Sequence, residues 1–317
     1  MYEETPTLGD WVLSLISADI LGFFVYCDII TMVIFMERLK EIERSIIKTY
    51  RGRLWAPFIK AVKEYELIKP NDRICVCISG GKDSMLMAKL FQELKRHSDF
   101  EFEVKHLVMN PGYNEMNLNQ IKKNIEILNI PAEIIDTDIF EIANNQEKNQ
   151  CYLCAKMRRG ALYKLAKNLG CNKIALGHHY DDVIETILMN MLNAGSFQTM
   201  LPKLHSDNYE GMELIRPLYL IRENDVKAWA KANDLRFIMC ACRFTEAYTN
   251  SHDGVGDSKR QEMKKLIEHL RSVHEPIDMN IFRSMYNVNL NTVIEYQKDG
   301  KRVNFLDEYE SKRKKTE

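Results

Sequence analysis

The sequence lacks a dominant sign of charge. It holds 44 Lys and Arg against 45 Asp and Glu, for a formal net charge of -1. This balance excludes a nucleic-acid-binding signature carried by the whole chain, so any polyanion site must be a local patch. The basic stretch Arg38–Arg53 and the tail Lys312–Lys315 are candidates, although each is read more simply as a solvated face.

A regular cysteine framework is also missing. The eight cysteines are too irregularly spaced for a disulfide scaffold in a chain of 317 residues, and no signal-peptide cleavage pattern precedes them. We therefore expect reduced thiols and a cytoplasmic location. Clustered reduced cysteines indicate metal or sulfur chemistry, and isolated ones indicate packing. Packing is the simplest role for Cys75, Cys77 and Cys171.

No uninterrupted membrane span is present either. Residues 11–35 are nearly all apolar, but Asp19 and Asp28 break the run. Each aspartate would cost about 2.5–3.5 kcal/mol at the middle of a bilayer. Insertion of this segment into a membrane is therefore disfavoured. A poor anchor, a buried or partner-binding helix, and an upstream extension of a protein beginning near Met36 remain as alternatives. We favour the extension, residues 1–35, because an amphipathic helix is predicted directly from Met36.

From Arg73 onward, short apolar β-prone runs alternate with amphipathic helical stretches. Strands are predicted at residues 73–78, 103–109, 133–135, 173–176, 214–215 and 236–239. The alternation predicts an α/β fold with a doubly wound parallel sheet and helical appendages at both termini. Ligands of such sheets bind at the carboxyl ends of the strands. One crevice is therefore expected to be lined by residues 79–84, 110–112, 177–182 and 240–242.

A short glycine turn, Ser-Gly-Gly-Lys-Asp-Ser at residues 79–84, joins the first predicted strand to a helix. The glycines let the backbone approach an anion, and the helix N-terminus favours negative charge. The turn is shorter than the GxxxxGK(S/T) loop. It resembles the SGGxDS signature of PP-loop enzymes, which split ATP between its α- and β-phosphates. An incidental strand–turn–helix junction is the simpler alternative, and the complete motif in this context disfavours it.

Two cysteine pairs offer metal ligands. Cys151 and Cys154 form a C-x-x-C pair, whose spacing lets two thiolates reach one metal centre. Alone, this pair is compatible with redox, zinc or iron–sulfur chemistry, or with chance. Cys240 and Cys242 follow the last predicted strand and offer a third ligand on the crevice side. Three thiolates on a cubane cluster leave one iron open to sulfur, whereas four make a closed structural site.

Six segments together resemble one family. They are ICVCISGGKDS, CYLCAKMRRGALYKLAKNLG, KIALGHHYDDVIETILMNML, LPKL, IRPL and RENDVKAWA, spread from about Ile74 to Cys240. In content, order and spacing they resemble the tRNA 2-thiocytidine synthetase family. The resemblance implies a PP-loop ATPase domain, of the adenine nucleotide alpha hydrolase type, with an iron–sulfur site at residues 71–245. A helical segment at 36–70 and a helical tail at 246–317 would flank it.

The family's activity implies a set of ligands and partners for this chain. ATP and Mg²⁺ would bind at residues 79–84, that is, at Ser79, Gly80, Gly81, Lys82, Asp83 and Ser84. The residues implied near the nucleotide are Asn110, Gly177 and His178. An oxygen-sensitive 4Fe–4S cluster would be held by Cys151, Cys154 and Cys240. The third ligand departs from the family, whose second motif is C-x-x-C, and alignment of the preceding apolar residues favours Cys240 over Cys242.

The implied reaction is sulfur transfer to tRNA. A pyrimidine O2, of a cytidine in the anticodon loop, would be adenylated and then replaced by sulfur, with release of AMP and pyrophosphate. A sulfur donor such as a cysteine desulfurase and a second copy of the chain, as a homodimer, are the further partners implied. The sequence after Arg243 differs from the family tail, which leaves the substrate open.

Three side chains are assigned catalytic roles, each beside a simpler reading. Asp83 is expected to orient magnesium or phosphate, or merely to stabilise a helix start. Asp182 is expected to hold magnesium or act as a general base, and N-capping is its alternative. Arg158 lies one helical turn after the C-x-x-C pair, and it or Arg159 would steady a phosphate.

Two other functions remain compatible with these residues. The same cluster could remove sulfur from a thiolated base, as a desulfidase does, but the intact SGGKDS turn favours addition. A non-catalytic nucleotide or RNA sensor would bind ATP without releasing AMP and pyrophosphate.

Overall fold

The computed structural model describes residues 32–145, 150–238, 259–307 and 309, without the side chains of residues 144 and 150–152. These described residues form two compact units, the first within the bounds 1–180 and 201–253 and the second within the bounds 181–200 and 254–317. The helices are α1 (residues 32–44), α2 (Ala56–Glu64), α3 (Lys82–His97), α4 (Glu115–Ile127), α5 (Ile139–Asn144), α6 (Gln150–Asn168), α7 (Tyr180–Asn193), α8 (Glu223–Ala232), α9 (Lys259–Val273) and α10 (Ile277–Ser284). Two π-helical turns, Ser45–Thr49 and Arg51–Trp55, join α1 to α2. Within the described ranges, none of these helices is long and apolar enough to cross a membrane.

The first unit is built on a six-stranded, mainly parallel sheet. Its strands are β1 (Arg73–Ile78), β2 (Glu103–Asn110), β3 (Ala132–Asp136), β4 (Lys173–Ala175), β5 (Lys203–His205) and β6 (Glu213–Ile215). They lie in the order β3-β2-β1-β4-β6-β5, and β5 alone among them pairs antiparallel. The predicted α/β class is therefore confirmed.

Strand β1 lies inside the sheet because its sequence is apolar on both faces. Every residue of β1 after Arg73 is buried. Val76 and Ile78 belong to the main apolar core, and Cys75 and Cys77 belong to a second core. A strand buried on both sides reads as a continuous apolar run, which is why it could be recognised from sequence.

One predicted strand was wrong and one strand was missed. Residues 236–238 of the predicted strand 236–239 are not in a strand, and Met239 lies outside the described residues. The carbonyl of Arg236 accepts hydrogen bonds from the side chains of Gln120 (3.1 Å) and Asn124 (2.9 Å), so it is satisfied without a strand partner. Strand β5 was missed because it is three residues long and only partly buried.

A buried lysine ties α1 to the rest of the first unit. Lys89 is fully buried in α3, and its ammonium lies 2.6 Å from Glu43 Oε1 in α1. The same ammonium donates to Gln92 Oε1 at 2.6 Å and to the carbonyl of Leu128 at 2.9 Å. Arg96 reaches the other oxygen of Glu43 at 2.9 Å. A buried ammonium is tolerated only when paired in this way, so α1 is part of the folded unit.

The second unit contains most of α7, together with α9, α10 and a hairpin of β7 (Glu295–Lys298) and β8 (Lys301–Asn304). Arg271 of α9 joins its helices. It lies 2.7 Å from Asp181 Oδ1 in α7 and 2.9 Å from Asp278 Oδ2 in α10. Burial alone would lower the pKa of Arg271, but the two carboxylates outweigh burial and raise it.

Candidate active site

The phosphate turn is closed by hydrogen bonds among its own residues. The N–H of Ser79 donates to Ser84 Oγ at 3.1 Å, and that hydroxyl donates to the carbonyl of Gly81 at 3.0 Å. Gly81 is the N-cap residue of α3, with an extended backbone. The turn therefore places the N-terminus of a sixteen-residue helix at the carboxyl end of β1, the arrangement that binds phosphate in open α/β sheets.

Gly80 is the one position of this turn that only glycine fits. Its φ is +84°, and an added Cβ would lie 2.5 Å from Ile121 Cγ1 and 2.7 Å from Ile238 Cδ1. The left-handed backbone and the missing space both exclude a side chain. The tight turn thus depends on packing against α4 and the segment after α8.

Lys82 and Asp83 form a charged group with a residue from α8. Lys82 Nζ lies 3.0 Å from Asp83 Oδ2 and 3.0 Å from Glu223 Oε1. Burial alone would lower the pKa of Lys82, but these two carboxylates outweigh burial and raise it. Lys82 is therefore a cation throughout the physiological range. Asp83 Oδ1 is buried and has no hydrogen-bond partner in the described part of the chain.

The loop after β2 reaches the phosphate turn. Asn110 Oδ1 accepts hydrogen bonds from the N–H groups of Gly112 (3.1 Å) and Tyr113 (2.7 Å), which shapes this loop. The Tyr113 hydroxyl donates to the carbonyl of Ser79 at 3.4 Å. Asn110 Nδ2 donates to Asp136 Oδ1 at 2.8 Å. Asn110 thus stabilises the loop beside the turn, and its contact with a nucleotide stays a prediction.

The segment after β4 packs directly on the turn. A Cβ on Gly177 would lie 3.2 Å from the backbone nitrogen of Ser84, so glycine permits this close approach. His178 is partly buried beside it, and buried His179 places Nε2 3.9 Å from Asp83 Oδ1. Of the four segments expected in one crevice, Tyr113 beside 110–112 and Gly177 and His179 of 177–182 lie next to the turn, whereas residues 181–182 belong to the second unit. The fourth, 240–242, lies outside the described residues, although Ile238 contacts Gly80.

The cysteines divide by environment. Cys154 is buried in the first turns of α6, with Arg158 partly buried one turn later. Cys151 lies on the same helix, its side chain outside the described part, and Cys240 and Cys242 lie outside it altogether. Among described residues, no three metal-binding side chains cluster. The side chains of three of the four candidate ligands, Cys151, Cys240 and Cys242, lie outside the described part of the chain, so the ligand set stays a prediction.

Three other cysteines are buried packing residues, as expected. Cys75, Cys77 and Cys171 all belong to the second core of the first unit. The hydrogen bond between Cys171 and Cys75, together with burial, raises the pKa of the Cys171 thiol well above its usual range. A neutral thiol is a poor metal ligand. The burial of these three side chains in the second core assigns them to packing.

Asp182 lies in the second unit and is ion-paired there. Its Oδ1 lies 3.2 Å from Arg260 Nη2, and the Nε of the same arginine lies 2.9 Å from Glu185 Oε2. Its backbone carbonyl accepts a hydrogen bond from the Thr186 hydroxyl at 2.7 Å. Sequence reasoning missed Arg260, whose α9 lies outside every motif. The catalytic role of Asp182 stays a prediction.

Residues 54–250 match the family model of the PP-loop domain. This is the class of protein that the parallel sheet and the SGGKDS turn define. The matched range holds the whole six-stranded sheet and the turn at the end of β1.

Relatives narrow the class further. The tRNA-cytidine(32) 2-sulfurtransferase of Geobacter sulfurreducens is 32% identical over 256 residues, which cover 80% of this chain and 93% of that protein. The enzyme of the same name from Coxiella burnetii is 32% identical over 264 residues, covering 81% and 95%. The chain therefore belongs to the tRNA-cytidine 2-sulfurtransferase family of PP-loop proteins, and the resemblance drawn from its motifs is confirmed.

A solved structure shares the fold. It is the U34-tRNA thiolase NcsA from Methanococcus maripaludis with its 4Fe–4S cluster, at a TM-score of 0.55 and 22% identity, covering 74% of this chain and 79% of that one. At this identity the likeness supports the architecture alone.

Proposed function

We propose that this protein is an ATP-dependent tRNA sulfurtransferase that adenylates the O2 of a cytidine in the anticodon loop and replaces that oxygen with sulfur. One observation carries the proposal. The SGGKDS turn stands at the carboxyl end of β1 in a chain that aligns with 93% of a relative named for this activity. Transfer of AMP to the oxygen turns a poor leaving group into a good one.

The phosphate turn supplies the nucleotide site. Its amides and the N-terminus of α3 present donors and positive potential to the phosphates, and Lys82 offsets charge on the leaving pyrophosphate. The buried Asp83 Oδ1, without a hydrogen-bond partner among described residues, fits a magnesium ligand. The pyrimidine O2 attacks the α-phosphorus while the bond to the β-phosphate oxygen breaks. A sulfur nucleophile at the sulfide level (HS⁻) then attacks C2, the bond from C2 to the adenylated oxygen breaks, that oxygen leaves with AMP, and the S–H proton passes to solvent. Where the donor delivers a persulfide, a thiol reductant supplies the two electrons that release sulfide.

The cysteines would hold the cluster. Thiolates are the ligands of 4Fe–4S clusters, and Cys151, Cys154 and Cys240 supply three. When bound, such a cluster offers an open iron for the incoming sulfur. Arg158, near Cys154 on α6, would steady a phosphate of the activated tRNA, and Asp182 would act as a base or magnesium ligand. A sulfur donor such as a cysteine desulfurase, a second copy of the chain and a cytoplasmic location complete the proposal.

An Asp83→Asn variant tests the ATP site. We expect the rate of tRNA-dependent pyrophosphate release to fall about a hundredfold or more, because a charged group acting on the transferring phosphate is lost. Iron content should not change. Glu115→Gln is the matched control, since Glu115 is an acid in the first turn of α4 and tests whether Asp83 merely stabilises a helix start.

Nucleoside mass analysis of a deletion strain identifies the product. Restoring the gene should restore a 2-thiocytidine, and the Asp83→Asn gene should not. Loss of thionucleosides on expression would mean a desulfidase instead. ATP binding without pyrophosphate release in the presence of tRNA would mean a sensor. Either result contradicts the proposal.

A further inference from the structure

Glu223 lies in the RENDVKAWA segment at residues 222–230, and the sequence assigned this side chain no role. Its Oε1 lies 3.0 Å from Lys82 Nζ, although the two residues are 141 positions apart in sequence. Its Oε2 lies 3.1 Å from Lys227 Nζ, one turn further along α8. The Glu223 side chain is only 16% exposed. This carboxylate therefore faces the turn and is partly shielded from water.

The start of α8 is held firmly in place. The carbonyl of Ile221 accepts a hydrogen bond from the N–H of Tyr180 at 2.9 Å, and the Arg222 guanidinium stacks 4.7 Å above the Tyr180 ring. Trp229, later in α8, is fully buried. Glu223 is the first residue of the helix, where the dipole stabilises a carboxylate. Its negative charge thus has a fixed position beside Lys82.

We propose that Glu223 is a positioning residue. It forms an ion pair with the Lys82 ammonium while the phosphate turn is empty, and it forms this pair again when pyrophosphate leaves. The inference rests on the proposed ATP site at residues 79–84. It follows from the two 3.0 Å contacts of Lys82, one with its neighbour Asp83 and one with Glu223. Phosphate oxygens and Glu223 compete for the same ammonium.

This competition predicts the direction in which pyrophosphate affinity changes when Glu223 loses its charge. A fixed carboxylate beside a polyphosphate site weakens phosphate binding, both by repulsion and by occupying the lysine. Glu223→Gln keeps the side-chain shape and removes the charge. We expect the variant to bind pyrophosphate about tenfold more tightly, the order expected for one charge contact in a partly exposed site. The KM for ATP should fall, while kcat should not rise because product release slows.

Asp225→Asn is the matched control. Asp225 lies in the first turn of the same helix and is 21% exposed, but it pairs with Arg53 at 3.6 Å and not with Lys82. Both variants remove one acid from the N-terminus of α8, so both should lower unfolding free energy by a similar small amount. Only Glu223→Gln should change pyrophosphate affinity.

Isothermal titration calorimetry of the full-length protein with pyrophosphate tests the role of Glu223. Unchanged or weaker binding by Glu223→Gln, or equal tightening by Asp225→Asn, overturns the role of Glu223. If the unsubstituted protein binds neither pyrophosphate nor ATP, the ATP site itself fails, which is a separate result. The titration needs neither tRNA nor cluster, so failure of sulfur transfer would leave it readable.

Discussion

Replacing Cys154 with alanine is expected to remove nearly all iron and acid-labile sulfide from protein purified without oxygen. Two thiolates cannot hold a 4Fe–4S cluster as three do, and Cys154 is the ligand candidate whose buried position is described. Thiolation of tRNA should stop. Pyrophosphate binding at residues 79–84 should persist, because the turn is built from other residues.

Cys171→Ala is the control for this prediction. Cys171 is equally a buried cysteine of the first unit, but its thiol is hydrogen-bonded to Cys75 and has a raised pKa. This variant should keep its iron. Iron and sulfide are measured per chain, alongside the visible absorption of the cluster. Full iron content in Cys154→Ala would sink the three-cysteine assignment, and loss of iron in both variants would point to general unfolding.

Replacing Gly80 with alanine is expected to lower the unfolding free energy by about 2–5 kcal/mol and to abolish ATP binding. The left-handed backbone, at φ +84°, costs a side chain about 1–2 kcal/mol. Overpacking adds about 1–3 kcal/mol, because the Cβ would lie 2.5 Å from Ile121 and 2.7 Å from Ile238. Relief of either clash distorts the turn. Urea unfolding and ATP titration measure the two effects.

Gly211→Ala separates backbone strain from crowding. Gly211 also has a positive φ, +76°, but nothing lies within 4 Å of an added Cβ. It should lose only about 1–2 kcal/mol and keep ATP binding. If Gly80→Ala costs no more than Gly211→Ala, the packing of Ile121 and Ile238 does not hold the turn.

The sheet was predictable where burial leaves a simple trace in sequence. Strand β1 is apolar after Arg73, and the glycine turn at residues 79–84 follows it directly, so its C-terminal end could be placed. Strand β5 has no such trace, because antiparallel pairing with β6 alone makes it a strand. Phe237, by contrast, lies in the strand predicted at residues 236–239, and residues 236–238 are not in a strand. Its apolar side chain stacks on Trp229, with 6.3 Å between ring centroids, and this packing needs no strand.

Only the parts of the site that form local sequence motifs could be predicted. Ser79–Ser84 form a continuous turn, so spacing alone revealed them. Glu223 lies in the RENDVKAWA segment, but its contact with Lys82 spans 141 positions, and no local spacing indicates that contact. Arg260 pairs with Asp182 from a helix outside every motif. Pairings between distant charges depend on the folded chain, and one sequence does not encode them as a pattern.

The buried pair of Lys89 and Glu43 shows that the folded unit begins earlier in the chain than the matched PP-loop domain. The PP-loop match begins at residue 54, eleven positions after Glu43. A shortened chain starting at that match would leave the Lys89 ammonium buried without its carboxylate, and breaking such a pair costs about 3–5 kcal/mol. A chain shortened to the matched domain is therefore expected to be less stable than one that keeps helix α1 and Glu43.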